Sequence, residues 1–145
     1  MFDIIKQFIF SFISTLGFSV IFNIPKGLLV KSSLVGAIGW LVFYISSLFL
    51  NNSIISTFFA SITVGILGEL SARFYKKPAT VFIIPGIIPL VPGAGMYYTM
   101  LALLEEDFYA AATKGTETIF IAAAISAGLI ISTTLSKSIR RVNTK

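Results

Sequence analysis

The most constraining feature of the sequence is a long apolar run, residues 32–68, that contains no charged side chain. A helix needs ~20 mostly apolar residues to cross a ~30 Å hydrocarbon core, so the run is too long for one crossing and long enough for two. The polar triplet Asn51, Asn52 and Ser53 divides it into halves of suitable length. Polar residues of this kind favour turns, so the run predicts two antiparallel membrane helices joined by a tight hairpin.

Composition extends this interpretation to the whole chain. Of the 145 residues, 56% are hydrophobic and 12% are charged, whereas a soluble domain carries about a quarter of charged residues. The formal net charge of +5 therefore does not point to nucleic acid, because the basic residues are scattered between apolar runs. The sequence has no Cys and no His, which argues against thiol or imidazole catalysis and ordinary zinc sites. We expect a membrane-embedded chain that is not an enzyme and holds no metal or cofactor.

The same length criterion selects five segments of the chain. No linker or solenoid-length repeat divides them, and the first segment lacks a signal-peptide cleavage site. We therefore predict an all-α integral membrane protein with one domain over residues 1–145 and about five transmembrane helices. The predicted spans are residues 4–22, 32–50, 54–72, 78–104 and 118–136.

The basic residues predict an orientation. Five crossings place two lysines, Lys6 and Lys114, on one side, and the other nine basic residues on the opposite side. Basic loops stay in the cytoplasm, which predicts an external amino terminus and a cytoplasmic carboxyl terminus. A fourth segment that entered and left by the same face would divide the charges almost evenly, so five crossings are favoured. Residues 105–117, which contain four acids, are expected to form an external loop. The nine basic residues are Lys26, Lys31, Arg73, Lys76, Lys77, Lys137, Arg140, Arg141 and Lys145.

The fourth segment contains an unusual cluster of helix-breaking residues. Residues 83–98 read IIPGIIPLVPGAGMYY, with three prolines and three glycines. An interior proline costs a helix ~3 kcal/mol and a glycine ~1 kcal/mol, so a continuous helix is not expected. We predict a first half that ends near Ile84, an unwound stretch over residues 85–91, and a second half that starts near Pro92. Unwound backbone at membrane depth is tolerated only where it is buried or lines a cavity, which predicts a solute site at this break.

The start of the second half-helix would direct free N–H groups and the positive end of the helix dipole into the break, an environment that favours an anion such as a carboxylate. Alternatives remain open, since the cluster could be a kink for packing and the tyrosines could bond carbonyl groups of the break. Asn23 could simply end the first helix. The candidate solute-binding residues are Pro89, Pro92, Gly93, Ala94, Gly95, Tyr97, Tyr98 and Asn23.

Two further groups of polar residues lie inside the predicted spans. Glu69 is the only acid within a span, which makes it a candidate for proton coupling. Arg73 follows at i+4, so a structural ion pair is the alternative. Ser11, Thr15 and Ser19 form one stripe on the first helix, and this stripe could line a solute path or pack against another helix.

Two stretches of the sequence, LGFSVIFNIPKGLL and IIPLVPGAGMYYTM, resemble the small membrane subunit of the bacterial threonine/serine exporter family. The resemblance implies that the chain corresponds to the carboxyl-terminal half of a longer exporter and works with a second membrane subunit. That family includes exporters of threonine and serine and two-subunit exporters of succinate. The resemblance therefore implies a small carboxylate-bearing solute, transport driven by an ion gradient, and no cofactor. It assigns no role to any individual residue.

Two other functions remain open at this stage. The chain could be a membrane scaffold or assembly subunit that transports nothing, in which case the break is only a packing device. It could also be a small proton-coupled multidrug antiporter, although those proteins generally place a carboxylate in the first span, where this chain has none within the core. Self-association into a homo-oligomer is open as well.

Overall fold

The chain folds into a bundle of six α-helices, in which the fourth and fifth form one bent pair. The computed structural model describes the backbone of residues 2–142 and the side chains of residues 2–136. Short 3₁₀ turns cover Lys26–Leu28 and Ile88–Leu90, and the described part of the chain contains no β-strand. The helices are α1 Phe2–Ile21, α2 Leu29–Leu50, α3 Ser53–Tyr75, α4 Thr80–Ile87, α5 Gly93–Leu104 and α6 Phe108–Val142.

The hairpin between α2 and α3 forms at the predicted triplet. Asn51 ends α2 in the left-handed conformation, with φ of 47°, and its N–H donates to the carbonyl oxygen of Ser47. The Asn52 side chain begins α3 by accepting hydrogen bonds from the N–H groups of Ile54 and Ile55, at 3.0 and 3.1 Å. Asparagine tolerates both roles because its short amide bonds nearby backbone. The two residues therefore end α2 and begin α3 within the predicted triplet.

Helices α1 and α2 pack antiparallel along a seam of small and hydroxyl side chains. The hydroxyls of Ser19 and Ser32 are 3.2 Å apart, and Thr15 leaves no room for a side chain at Gly36. Thr15 also donates to the carbonyl oxygen of Ser11 in its own helix, so no buried hydroxyl in the seam is left unpaired. Small residues allow such close approach in a membrane, where lipid supplies no hydrophobic drive between helices. Of the two roles considered for the α1 stripe, the structure shows the packing role for Thr15 and Ser19.

Helices α3 and α6 run parallel. Ser61, in the first half of α3, lies with its hydroxyl 3.4 Å from the carbonyl oxygen of Ala124, and Arg73, near the end of α3, donates to the carbonyl oxygen of Ser136. Both contacts join residues 63 positions apart, so the two helices advance in the same direction. The chain has to return to the opposite end of the bundle between α3 and α6.

The return is made by α4 and α5 together. Helix α4 runs antiparallel to α3, with Ile83 against Gly68, and α5 runs antiparallel to α6, with Thr99 against Gly115. The two short helices are bent by 47° relative to each other, and together they are long and apolar enough to form one broken span. A segment that enters and leaves by one face would make α6 antiparallel to α3, so the structure favours a single bent crossing over the re-entrant alternative.

The break in this crossing is shorter than the sequence predicts. Helix α4 continues through Pro85 to Ile87, and the 3₁₀ turn Ile88–Leu90 follows directly, so most of residues 85–91 are wound. Non-helical backbone is confined to Val91, which is extended with ψ of 129°, and to Pro92, with ψ of 56°, after which α5 begins. Pro85 is the sixth of the eight residues of α4, so it lies inside the helix and removes one backbone donor there, and its side chain is fully buried.

The predicted acidic loop over residues 105–117 is also wrong in extent. Helix α6 begins at Phe108, so only residues 105–107 connect it to α5. The Asp107 carboxylate accepts a hydrogen bond from the N–H of Ala110 at 3.0 Å and thereby caps the new helix. The alanines at 110–112 favour helix strongly, and Lys114 pairs with Glu117 at 4.0 Å on the same face.

The close contact between α3 and α6 predicts a strong effect of one added methyl group. In Gly128→Ala the new Cβ would lie 2.9 Å from the carbonyl oxygen of Phe58, so the helices have to separate. We expect a loss of about 1–3 kcal/mol in stability, the usual cost of overpacking, measured as a lower midpoint of thermal unfolding in detergent. Gly17→Ala is the matched control, since no atom lies within 4 Å of its added Cβ. Equal midpoints for the two variants would contradict the packing described here.

Candidate functional site

A small cleft, lined mainly by apolar surface, lies where the bent pair meets α1 and α2. Its volume is about 230 Å³. Trp40 is about halfway along α2, and Pro89 belongs to the 3₁₀ turn just before the bend. The cleft therefore opens near mid-depth of the bundle, beside the only break in the described crossings. Its lining consists of Gln7, Phe10, Ser11, Ser14, Trp40 and Pro89.

One hydrogen bond organises the cleft. The indole Nε1–H of Trp40 donates to the side-chain oxygen of Gln7 at 2.8 Å. An indole nitrogen can only donate, so this bond identifies the Gln7 atom that faces Trp40 as the carbonyl oxygen. The amide NH2 group must then point away from the indole. Trp40 is itself held by the ring of Phe43, whose centroid is 5.1 Å from its own.

The remaining polar groups of the cleft differ in how they are satisfied. Ser11 donates to the carbonyl oxygens of Gln7 and Phe8, at 2.8 and 3.0 Å, so its hydroxyl is occupied within α1. Among the side chains of residues 2–136, the Gln7 NH2 group and the Ser14 hydroxyl make no hydrogen bond, and both residues line the cleft. The Ser14 side chain is exposed, and its hydroxyl can accept as well as donate a hydrogen bond.

Comparison with known proteins gives the chain its family. Residues 7–135 match the family model described as threonine/serine exporter, ThrE. The chain belongs to this exporter family. An uncharacterized protein of Haemophilus influenzae is 31% identical over 107 residues, which are 72% of this chain and 35% of that protein. The chain thus spans about a third of the length of the relative it matches. No solved structure matches it.

Only one of the predicted site residues of this exporter-family chain, Pro89, lines the cleft. Pro92 and Gly93 form the junction to α5, and the Gly93 N–H donates to the carbonyl oxygen of Val91 at 2.8 Å. One of the three predicted anion donors is therefore already bonded. Gly95 packs closely against Thr118 of α6, while Ala94 is exposed. Anion binding at the start of α5 stays a prediction.

The other three predicted residues lie elsewhere. Tyr97 and Tyr98 are 64% and 55% exposed on α5, and within the described structure neither hydroxyl bonds a carbonyl group of the break. Asn23 adopts φ of 59° and ends α1, as its simpler interpretation predicted. It lies nine residues beyond Ser14, or ~13 Å further along the helix axis, so the structure does not bring it to the cleft.

The alternative interpretation of Glu69 as an ion-pair partner of Arg73 is wrong. The Arg73 guanidinium reaches across to the Ser136 carbonyl oxygen on α6, and the only ion pair among residues 2–136 joins Lys114 and Glu117. An i,i+4 pair contributes only ~0.3–0.5 kcal/mol, whereas a hydrogen bond from a charged group contributes ~1.5–3 kcal/mol. The interhelical hydrogen bond of Arg73 is therefore favoured over the ion pair, and Glu69 remains half-buried on α3 without that partner.

Sequence reasoning missed Gln7 and Trp40, although both carried a signal. They are the only glutamine and the only tryptophan in the chain. Tryptophan in membrane proteins gathers at the interfaces with water, so a tryptophan in the middle of a predicted span is out of its usual place. An amide inside the first span is also costly in lipid unless it has a partner. That these two residues pair with each other could not be read from their positions.

The hydrogen bond between Trp40 and Gln7 is open to a direct test. Gln7→Leu leaves the indole N–H without an acceptor, which we expect to lower stability by ~1–3 kcal/mol and to shift the Trp40 emission to shorter wavelength. The measurement is clean because no other tryptophan contributes. Ser14→Ala is the matched control, since it removes a polar group of the same cleft that does not bond Trp40. Unchanged emission and unchanged stability in Gln7→Leu would contradict the bond.

Proposed function

We propose that the chain is one subunit of a secondary exporter that moves a small carboxylate-bearing solute out of a bacterial cell. Threonine, serine and a dicarboxylate such as succinate are the candidate solutes. The observation that carries the proposal is membership of the threonine/serine exporter family over residues 7–135. The bent crossing beside a cleft supports it, because secondary transporters commonly bind their solutes near mid-membrane at interrupted helices.

A second membrane subunit completes the exporter in this proposal. About two thirds of the Haemophilus influenzae relative lies outside the part that matches this chain, which leaves room for the complementary helices. Helix α5 also presents a large apolar face, with Met96, Met100 and Leu104 each more than half exposed. Lipid or the second subunit would cover this face in the membrane, and small-residue contacts would join the two subunits.

The proposed orientation places the basic end of the bundle on the cytoplasmic side of the inner membrane. Lys31 at the start of α2 lies 3.8 Å from the ring of Tyr75 at the end of α3, so the basic loops on either side of these helices lie at one end. That arrangement supports an external amino terminus under the positive-inside rule. Glu69 is proposed as the proton-coupling residue, supported by its place inside a crossing and by the engagement of Arg73 elsewhere.

Export measurements test the proposal. In cells that lack this chain and its partner, we expect threonine, serine or succinate to appear in the medium only when both chains are restored. Pro92→Ala returns a backbone donor at the bend and favours a straighter helix, so we expect slower export at an unchanged protein level. Pro78→Ala, outside the helices, is the control. Full export by the partner alone would instead indicate a scaffold that transports nothing.

Labelling tests the orientation, and the chain needs no prior removal of cysteines. We expect Glu106→Cys, between α5 and α6, to react with a membrane-impermeant maleimide in intact cells. Lys77→Cys, between α3 and α4, should react only after the membrane is opened, because the basic end faces the cytoplasm. The reverse pattern would overturn the proposed orientation.

A further inference from the structure

The two ends of the bundle differ strongly in charge. Four lysines, which we call the basic surface, lie at the end where α2 starts and α3 stops. Five of the six acids of the chain lie toward the other end, and the sixth, Glu69, is inside α3. The only ion pair among residues 2–136 joins Lys114 to Glu117, so no carboxylate within that range pairs with the basic surface. The basic surface consists of Lys26, Lys31, Lys76 and Lys77.

Lys31 has a fixed position in the basic surface. Its Nζ lies 3.8 Å from the centroid of the Tyr75 ring. That ring stacks in turn on Phe82 of α4, whose side chain is fully buried, with 5.9 Å between the ring centroids. Residues of α2, α3 and α4 therefore hold one ammonium group at the end of the bundle.

The place of Lys31 within its own helix is unfavourable for a cation. It is the third residue of α2, next to the positive end of the helix dipole. The contact with the Tyr75 ring offsets part of this cost but does not neutralise the charge. A bound anion would be attracted by the ammonium group and by the helix dipole together. The position of Lys31 therefore favours an anionic partner.

The other three lysines lie in the chain segments that flank the same helices. Lys76 and Lys77 directly follow Tyr75, in the connection between α3 and α4, and Lys26 starts the 3₁₀ turn that leads into α2. All three side chains are exposed. Backbone hydrogen bonds hold the connection, since Lys77 N–H donates to the carbonyl oxygen of Ala72 at 3.0 Å. The basic surface thus offers exposed ammonium groups on a connection of defined conformation.

An exposed aromatic side chain beside the basic surface favours a lipid over a soluble anion. Phe74 is 80% exposed, and its ring meets the ring of Tyr75 edge to face, with 5.0 Å between the centroids. Aromatic residues gather at the level of the lipid headgroups, which places the lysines at the depth of the lipid phosphates. A phospholipid supplies a phosphate for the lysines and apolar chains for Phe74, whereas a soluble anion supplies only the first.

We propose that the basic surface binds the headgroup of an anionic phospholipid, with the ammonium group of Lys31 in contact with the phosphate. Basic groups between membrane helices bind such headgroups by charge attraction and hydrogen bonding. The bound lipid would hold the start of α2 against the end of α3 and stabilise the bundle. The proposal goes beyond the export function and does not depend on it, since it requires neither a solute nor a second subunit.

A lipid titration of the purified chain in neutral detergent tests the proposal. We expect phosphatidylglycerol to raise the midpoint of thermal unfolding by about 3–8 °C in a saturable manner, and phosphatidylcholine to leave it unchanged. Lys31→Gln should raise the half-saturating concentration of phosphatidylglycerol about fivefold, the usual contribution of one basic residue at an anionic surface. Lys31→Arg keeps the charge and should keep the wild-type concentration. The double variant Lys76→Gln/Lys77→Gln should raise it about 25-fold.

Lys6→Gln is the matched control, because Lys6 also lies near a helix start beside an aromatic ring, that of Phe2 at 5.5 Å, but at the other end of the bundle. We expect this variant to bind phosphatidylglycerol like the wild type. An equal loss in Lys6→Gln and Lys31→Gln would show that net charge binds the lipid and would overturn the proposal.

Three other results would also overturn the lipid site. The first is that phosphatidylglycerol does not stabilise the wild-type chain. The second is that neither Lys31→Gln nor the double variant changes the half-saturating concentration. The third is that inorganic phosphate, at the same concentrations, stabilises the chain as much as phosphatidylglycerol does, which would indicate a site for a soluble anion.

Discussion

The structure depends on one constraint, which is that lipid offers no hydrogen-bond partner to any polar group. The backbone meets it by forming helices over almost all of residues 2–142, and the hydroxyl side chains meet it by donating to carbonyl groups of their own helix, as Thr15 and Thr118 do. The cleft that holds Gln7 and Trp40 lies beside Pro89, just before the bend at residues 91–92.

Close packing of small residues arranges the helices around that place. Gly36 against Thr15 holds α1 to α2, and Gly128 against Ser61 holds α3 parallel to α6. The parallel pair obliges α4 and α5 to make one crossing between them, which sets the bend against α1 and α2. Close contacts between small residues thus hold the bundle together and shape the cleft, since lipid supplies no hydrophobic drive between helices.

Much of the fold could be predicted, and the errors share a cause. The all-helical membrane class, the hairpin at Asn51 and Asn52, and the broken fourth crossing followed from length, charge and breaker residues. The unwound stretch was predicted too long, because the helix continues through Pro85 although that proline removes one backbone donor, and its buried side chain packs within the bundle. The acidic loop was predicted too long because charge was given more weight than the helix propensity of residues 108–117. In both cases, the effect of single residues on a helix was estimated without the surrounding residues that favour the helix.

The candidate site shows the boundary between sequence and tertiary structure most clearly. Hydropathy and length alone determined that this chain lies in a membrane as helices, because the cost of exposing backbone to lipid is the same wherever a segment packs. The partner of each polar side chain was decided only by tertiary structure. Gln7 and Trp40 are separated by 33 positions, and only the antiparallel packing of α1 on α2 brings them within 2.8 Å. For the same reason, Arg73 donates to a carbonyl group on α6 and forms no ion pair with Glu69, which is nearby in sequence. A hydrogen bond depends on distance in space rather than in sequence.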